Sequence, residues 1–220
     1  MIFTSLISFL FPLVFFSSNH LPSQYVEKPL AVHEMSMDQR YGNQFVNDVF
    51  KDNILLTLAY TNGKVSANNV KWDGVLKPFT FELKLKPGQV FAFHSDVLAK
   101  YQNEVAKTTN ANFNFEDGFK SDGYLTGDGV CHLASIINWV ASDAGLQVEA
   151  PTNHNFAVIP QVPQKFGTSI YYYPGQHDTN ALNNLYVRNN KNKDIFFKFD
   201  YDGKDLKVSV LEQDKLQNFN

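Results

Sequence analysis

Ile195-Phe196-Phe197-Lys198-Phe199-Asp200-Tyr201, then Asp202-Gly203, then Leu206-Lys207-Val208-Ser209-Val210-Leu211: two alternating segments meet at an Asp-Gly turn. A period of two puts Ile195, Phe197, Phe199 and Tyr201 on one face, while Asp-Gly supplies the left-handed conformations that a tight hairpin turn needs. The pattern predicts an antiparallel hairpin with one buried face. Working outward, Leu185 to Arg188 reads as a neighbouring strand across the turn from Asn189 to Lys193. Phe79 to Leu85 alternates strictly, and Val90 to Phe93 follows it after Pro87-Gly88, which predicts two adjacent strands. Ile54 to Tyr60, bounded by Asn62-Gly63, reads as a further strand, as do Phe156 to Ile159 and Ser169 to Tyr173. Tyr101 to Gly123 has no clear period and reads as a long loop whose Phe113, Phe115 and Phe119 fold back onto the core.

One segment breaks this strand-rich pattern. After Gly127-Asp128-Gly129, the residues Leu133, Ile136, Ile137, Val140 and Ala144 recur at the spacing of one helix face, and Gly145 stands where a left-handed cap belongs. The expected fold class is therefore α+β, a mostly antiparallel β-sheet with one principal helix starting at the Cys131 turn and a C-terminal β-hairpin. Cys131, Ser135 and Asn138 fall on a neighbouring, more polar face of that helix. A thiol in a helix's first turn meets unpaired backbone N–H groups and the positive end of the dipole, both of which favour thiolate. Asp128, a plausible N-cap, opposes that with its negative charge. The plainer reading is a small buried hydrophobe at a helix start.

The chain of 220 residues is long enough for one substantial core. A net charge of −3 without a basic tract gives no reason to expect a nucleic-acid partner. The single cysteine excludes an intramolecular disulfide and thiolate-rich zinc motifs. Ile2 to Phe16 is almost wholly apolar, the length of a signal-peptide core and short for a spanning helix, although no Lys or Arg precedes it. Residues 1–20 are thus expected to be a signal peptide or an N-terminal membrane anchor, 21–50 a polar tether, and 51–220 the folded domain. That organisation implies an exported protein, extracellular or held at the membrane facing the cell envelope.

The order of these signals resembles the VanW family. Leu85-Lys86-Pro87-Gly88-Gln89-Val90-Phe91-Ala92-Phe93 is similar to its "L-x-P-G-E-x-F-S-F" segment, and Gly123-Tyr124 with Gly127-Asp128-Gly129-Val130-Cys131 to its "G-Y … G-G-G-V-C-Q-x-S" core. Ala144-Gly145-Leu146, His154, Gly175 with Asp178, and Leu185 to Asn190 follow in the family's order, so the resemblance runs collinearly from about Asn68 to Glu212. Four positions depart from the pattern: Asp128 replaces the middle glycine, His132 the glutamine, Ala134 the first of the paired Ser/Thr residues, and Asn155 the serine after the histidine. The resemblance implies an exported or membrane-anchored protein of the kind that accompanies glycopeptide-resistance and cell-envelope modules. It does not imply a reaction.

Chemistry has to come from the residues. Cys131, His154 and Asp178 follow one another in the order nucleophile, general base and orienting carboxylate, the set used by thiol hydrolases and transferases. His132, Ser135 and Asn155, beside them in the matched motifs, are candidate binding residues. The substrate of such a site would be an amide of a peptidoglycan stem or an envelope peptide. Each member also has a quiet explanation: His154 as a loop histidine bonded to backbone, Asp178 as a turn residue. Zinc held by Cys131, His132 and His154 with His177 or Asp178 is a lesser option, because adjacent helical residues diverge by about 100° around the axis. No cofactor or metal is expected. His94 and Asp96 are possible liners of the same cleft. The alternative function is a non-catalytic cell-wall-binding accessory module, its partner a peptide or glycan, with Cys131 structural and aromatic platforms such as Tyr171-Tyr172-Tyr173 and the pair Phe113 and Phe115. In an alternating strand Tyr172 points opposite to Tyr171 and Tyr173.

Overall fold

The computed structural model describes residues 25–215; the leader expected over 1–20 lies outside the described residues. In chain order the elements are β1 (Tyr25–Ser36), α1 (Gln44–Thr61), α2 (Trp72–Val75), β2 (Phe79–Leu85), β3 (Val90–Ala92) and β4 (Val105–Lys107). There follow α3 (Val130–Asp143), β5 (Gln147–Glu149), α4 (His177–Leu182), β6 (Tyr186–Arg188), β7 (Ile195–Tyr201) and β8 (Asp205–Lys215). The α+β class and the C-terminal hairpin are as expected. Two sheets of four strands are built, ordered β1-β8-β7-β2 and β4-β3-β6-β5, with every pairing antiparallel except β3 with β4. No helix among the described residues is long and apolar enough to cross a membrane.

The hairpin is the centre of the first sheet. Ile195, Phe197, Phe199 and Tyr201 of β7 are buried, with Leu206, Val208 and Val210 of β8 beside them. Stacked Phe81 and Phe199 rings, 5.7 Å apart, join the β2–β7 pair across a cross-strand position. Helix α3 touches β1 and β8 of this sheet and β5 of the other, so its apolar stripe, Leu133, Ile136, Ile137 and Val140, is sealed between the two sheets. Gly145 adopts the expected left-handed conformation at φ 70° just beyond the helix.

Several expectations are corrected. Residues 25–36, within the stretch expected as a tether, form the edge strand β1, laid along β8 from Tyr25 opposite Lys215 to Ser36 opposite Asp205. Pro29 sits at its bulge, a position that an edge strand tolerates because no ladder N–H is needed there. Ile54 to Tyr60 is not a strand but the second half of α1, whose Asn43 cap accepts the Phe45 N–H at 3.0 Å. The helix is buried on all sides from Asp52 to Thr61, so its apolar run carries no face pattern. Strands β2 and β3, and likewise β6 and β7, are neighbours in sequence yet belong to different sheets. Buried Asn189 stitches that division: its amide donates to the Leu85 carbonyl at 2.9 Å and the Lys193 carbonyl at 2.8 Å. Residues 156–159 and 169–173 are irregular chain with only the Asn153–Thr168 bridge nearby.

Candidate functional site

The turn before α3 is shaped by glycine at two positions. Gly127 and Gly129 have φ of 87° and 100°, and a Cβ on Gly129 would stand 2.7 Å from the Phe50 carbonyl oxygen of α1. That contact is closer than real Cβ atoms allow, so glycine is required there. The middle residue needs no such freedom, which explains how Asp128 is accommodated in place of a third glycine. Asp128 is not the helix cap: Gly129 holds that position without a side-chain bond, and the Asp128 carboxylate accepts the Asp122 N–H at 3.0 Å instead. Burial and the neighbouring Asp122 carboxylate push the Asp128 carboxyl up to about 6.

The polar face of α3 is a seam. Cys131 Sγ accepts the Ile170 N–H at 3.3 Å and donates to the Ile170 carbonyl at 3.6 Å. One turn on, Ser135 Oγ donates to the Cys131 carbonyl at 2.6 Å and accepts the Thr168 N–H at 2.9 Å. A further turn on, the Asn138 amide donates to the Phe166 carbonyl and the Thr168 hydroxyl, each at 3.1 Å. The three residues thus zip residues 166–170 along the helix, and Cys131 is the seam's first rung. Burial pushes its thiol up to about 11, with Asp128 adding to the effect.

Cys131, His132 and His154 line one cleft of about 370 Å³ at the N-terminal end of α3. Asp178 does not join them: it is exposed in the first turn of α4 and lines a separate, open depression of about 570 Å³ with Asp96 and His177. Asn155 is exposed and Ser135 is committed to the seam, so neither lines the cleft. His154 donates from Nδ1 to the Ala157 carbonyl at 3.1 Å and packs on the Phe156 ring, 3.9 Å between centroids. Its proton affinity is lowered by burial. Among the described residues no hydrogen bond links Cys131 to His154. His94 lies elsewhere, fully buried, with its Nε2 3.0 Å from the Asn183 carbonyl. Asp96 holds His177 at 2.8 Å and Asn180 at 2.6 Å, which fixes α4. Among the described residues no group of His, Cys, Asp and Glu is arranged to hold a metal ion.

What the cleft does present is a polar floor and an apolar rim. Tyr41, Asp128, His132 and His154 make the floor, and Tyr41 Oη stands 3.5 Å from His132 Nε2. Leu125, Phe156 and Tyr171 line the opening at 66, 73 and 46 % exposure, with Val158 beyond Phe156 at 81 %. Tyr171 and Tyr173 are exposed, whereas Tyr172 packs inward, its ring 5.6 Å from that of His94, as alternation predicts. Phe113, in the cleft wall, holds a left-handed φ of 57°, strain that a bulky residue tolerates only when its surroundings fix it, here Phe93 and Phe119. Tyr41 and Phe156 are floor and rim residues that sequence reasoning missed. Tyr41 sits in a polar stretch with no motif and arrives only through the course of β1, while Phe156 was expected within a strand.

A family model described as a VanW like protein matches residues 81–211. No curated protein and no solved structure gives a match.

Proposed function

The chain belongs to the VanW family, and we propose that it is a non-catalytic binding module of the cell envelope, whose cleft takes an extended envelope peptide while Cys131 is structural. The observation that carries this reading is the seam: Cys131 Sγ is bonded to both the N–H and the carbonyl of Ile170. A nucleophile needs the opposite environment, an exposed sulfur made acidic by a cationic or imidazole neighbour. Apolar, exposed Leu125, Phe156 and Val158 suit peptide side chains better than the flat face of a sugar ring. Beside them the N–H of Tyr172 has no partner among the described residues, whereas those of Tyr171 and Tyr173 bond Asn183 and Asn180, which leaves one main-chain donor in the wall for a ligand carbonyl.

The competing hydrolase reading has one observation in its favour, that Cys131 and His154 line the same cleft. Retention on isolated cell-wall sacculi separates the two. Wild type and Cys131→Ala are expected to be retained equally, whereas Leu125→Ser with Phe156→Ser is expected to be lost to the wash at unchanged Tm. Failure of the wild-type chain to bind sacculi would overturn the binding reading. Alkylation of the thiol gives the second arm: its rate is expected to rise only toward pH 11 and to ignore His154→Ala. A fast reaction near neutral pH that depends on His154 establishes the hydrolase instead.

A further inference from the structure

His132 presents a bonding problem whose solution reaches the ligand. The ring is 4 % exposed, and its Nδ1 is sealed from solvent without a hydrogen-bond partner among the described residues. A neutral imidazole carries its proton on one nitrogen only. A sealed N–H with no acceptor is costly and rare in folded proteins, while a bare lone pair is the more readily tolerated state. The ring is also held neutral, because burial, the Arg40 guanidinium and His154 all disfavour a second proton. Arg40 itself is buried, with its guanidinium on Met35 Sδ and the Pro160 carbonyl and no carboxylate partner among the described residues.

The proton therefore belongs on Nε2, which faces Tyr41 Oη across a long hydrogen bond of 3.5 Å. Tyr41 oxygen is then the acceptor, and its own O–H is turned outward. That hydroxyl makes no other hydrogen bond among the described residues, and Tyr41 lines the cleft. From this geometry we propose that Tyr41 is the hydrogen-bond donor that reads the ligand, donating to an uncharged amide carbonyl of an extended peptide, and that His132 is the residue that positions it. Burial at the Tyr41 hydroxyl disfavours a charged group there, while the Arg40 guanidinium and the Asp122 and Asp128 carboxyls act in opposite senses, so an uncharged main-chain carbonyl fits better than a free C-terminus. This inference rests on the peptide-binding reading of the cleft but goes beyond it, because neither residue is needed for the aromatic rim to hold a ligand.

The test uses the whole chain with N-acetyl-Ala-Phe-Ala amide as the probe and N,N′-diacetylchitobiose as the glycan comparison, titrated calorimetrically. Tyr41→Phe is expected to weaken the peptide about tenfold, the loss expected for one directed hydrogen bond, with Tm unchanged. His132→Phe keeps an aromatic ring, somewhat larger, but removes the donor, and is expected to weaken it by a smaller factor, since the hydroxyl remains and only its orientation is released. Nitrogen-15 spectra of the ligand-free chain are expected to show His132 protonated at Nε2 and bare at Nδ1. Equal peptide affinity for wild type and Tyr41→Phe overturns the inference and leaves the binding reading intact, as does a His132 proton on Nδ1. Binding of the chitobiose with none of the peptide overturns both.

Discussion

Asp128 titrates well above the ordinary carboxylate range, and the departure contributes to how stability varies with acidity. In the folded chain its carboxyl keeps a proton up to about pH 6, against an ordinary value of 3.8 when the chain is unfolded. Between those limits the folded state binds more protons, so this contribution to stability falls as pH rises through the window and is level above it. Because Asp128 is only partly buried, solvent screening reduces the effect to on the order of 1 kcal/mol. Asp128→Asn keeps the shape and removes the titration. Urea midpoints measured from pH 4 to 7 are expected to fall for wild type relative to that variant, on top of the rise that the buried His94, His132 and His154 give to both, with the variant the more stable above pH 6. Parallel curves for both proteins would assign the pH dependence elsewhere. The same residue shows why a motif is read differently once folded. As a sequence, Asp128 before a helix is a cap; in the molecule Gly129 takes that place because the Phe50 carbonyl leaves room for no side chain, and the carboxyl turns back to Asp122.

Among the elements, the seam on α3 accounts for both the irregular chain beside it and the quiet state of the thiol. Residues 166–170 have almost no ladder partners, and Ser135 and Asn138 supply their hydrogen bonds instead. Asn138→Ala leaves the buried Thr168 hydroxyl without its donor and the half-buried Phe166 carbonyl with that hydroxyl alone, at a cost of about 1–3 kcal/mol. Hydrogen exchange at the Thr168 N–H is expected to speed up in that variant, and Cys131 alkylation with it; unchanged exchange would show the segment to be held by other contacts. Elements of this kind also mark the limit of what the sequence discloses. The β7–β8 hairpin and α3 are local patterns, each bounded by its own turn residues, and both are visible in the chain. Ile54 to Tyr60 is invisible as helix because a run buried on every side has no period. The assignment of β2 and β3 to different sheets depends on β7 and β6, partners a hundred residues away, and on Asn189 between them. Cys131, His154 and Asp178 have the right types in the right order, yet chain order carries no distance. α4 holds Asp178 at another depression.

Across the whole molecule, β1 sets the direction in which the cleft faces. His33 stacks on Trp139 and bonds Asp143 at 2.7 Å, at the C-terminal end of α3, while Tyr41 reaches His132 in the helix's first turn. β1 and α3 therefore run in opposite senses, and Tyr25, paired with Lys215, lies about 25 Å along the strand from His33, on the side away from the cleft. A ligand in the cleft should thus shield one pole and leave the other untouched. The native thiol is half-buried, bonded to Ile170 and pushed up to about 11, which makes this measurable, since a cysteine introduced at the surface reacts against a slow background. Val158→Cys, at a position 81 % exposed beside the rim, and Glu27→Cys, on the exposed far end of β1, are both expected to take maleimide readily in the free chain. Bound to cell-wall sacculi, the Val158 position should be protected several-fold and the Glu27 position should label at its free rate, with the wild-type chain labelling only slowly throughout. Equal protection at both positions would mean that the wall coats the molecule non-specifically. Protection at Glu27 alone would put the binding surface on the outer side of β1, an edge strand among the described residues and so open to another chain, rather than in the cleft at the start of α3.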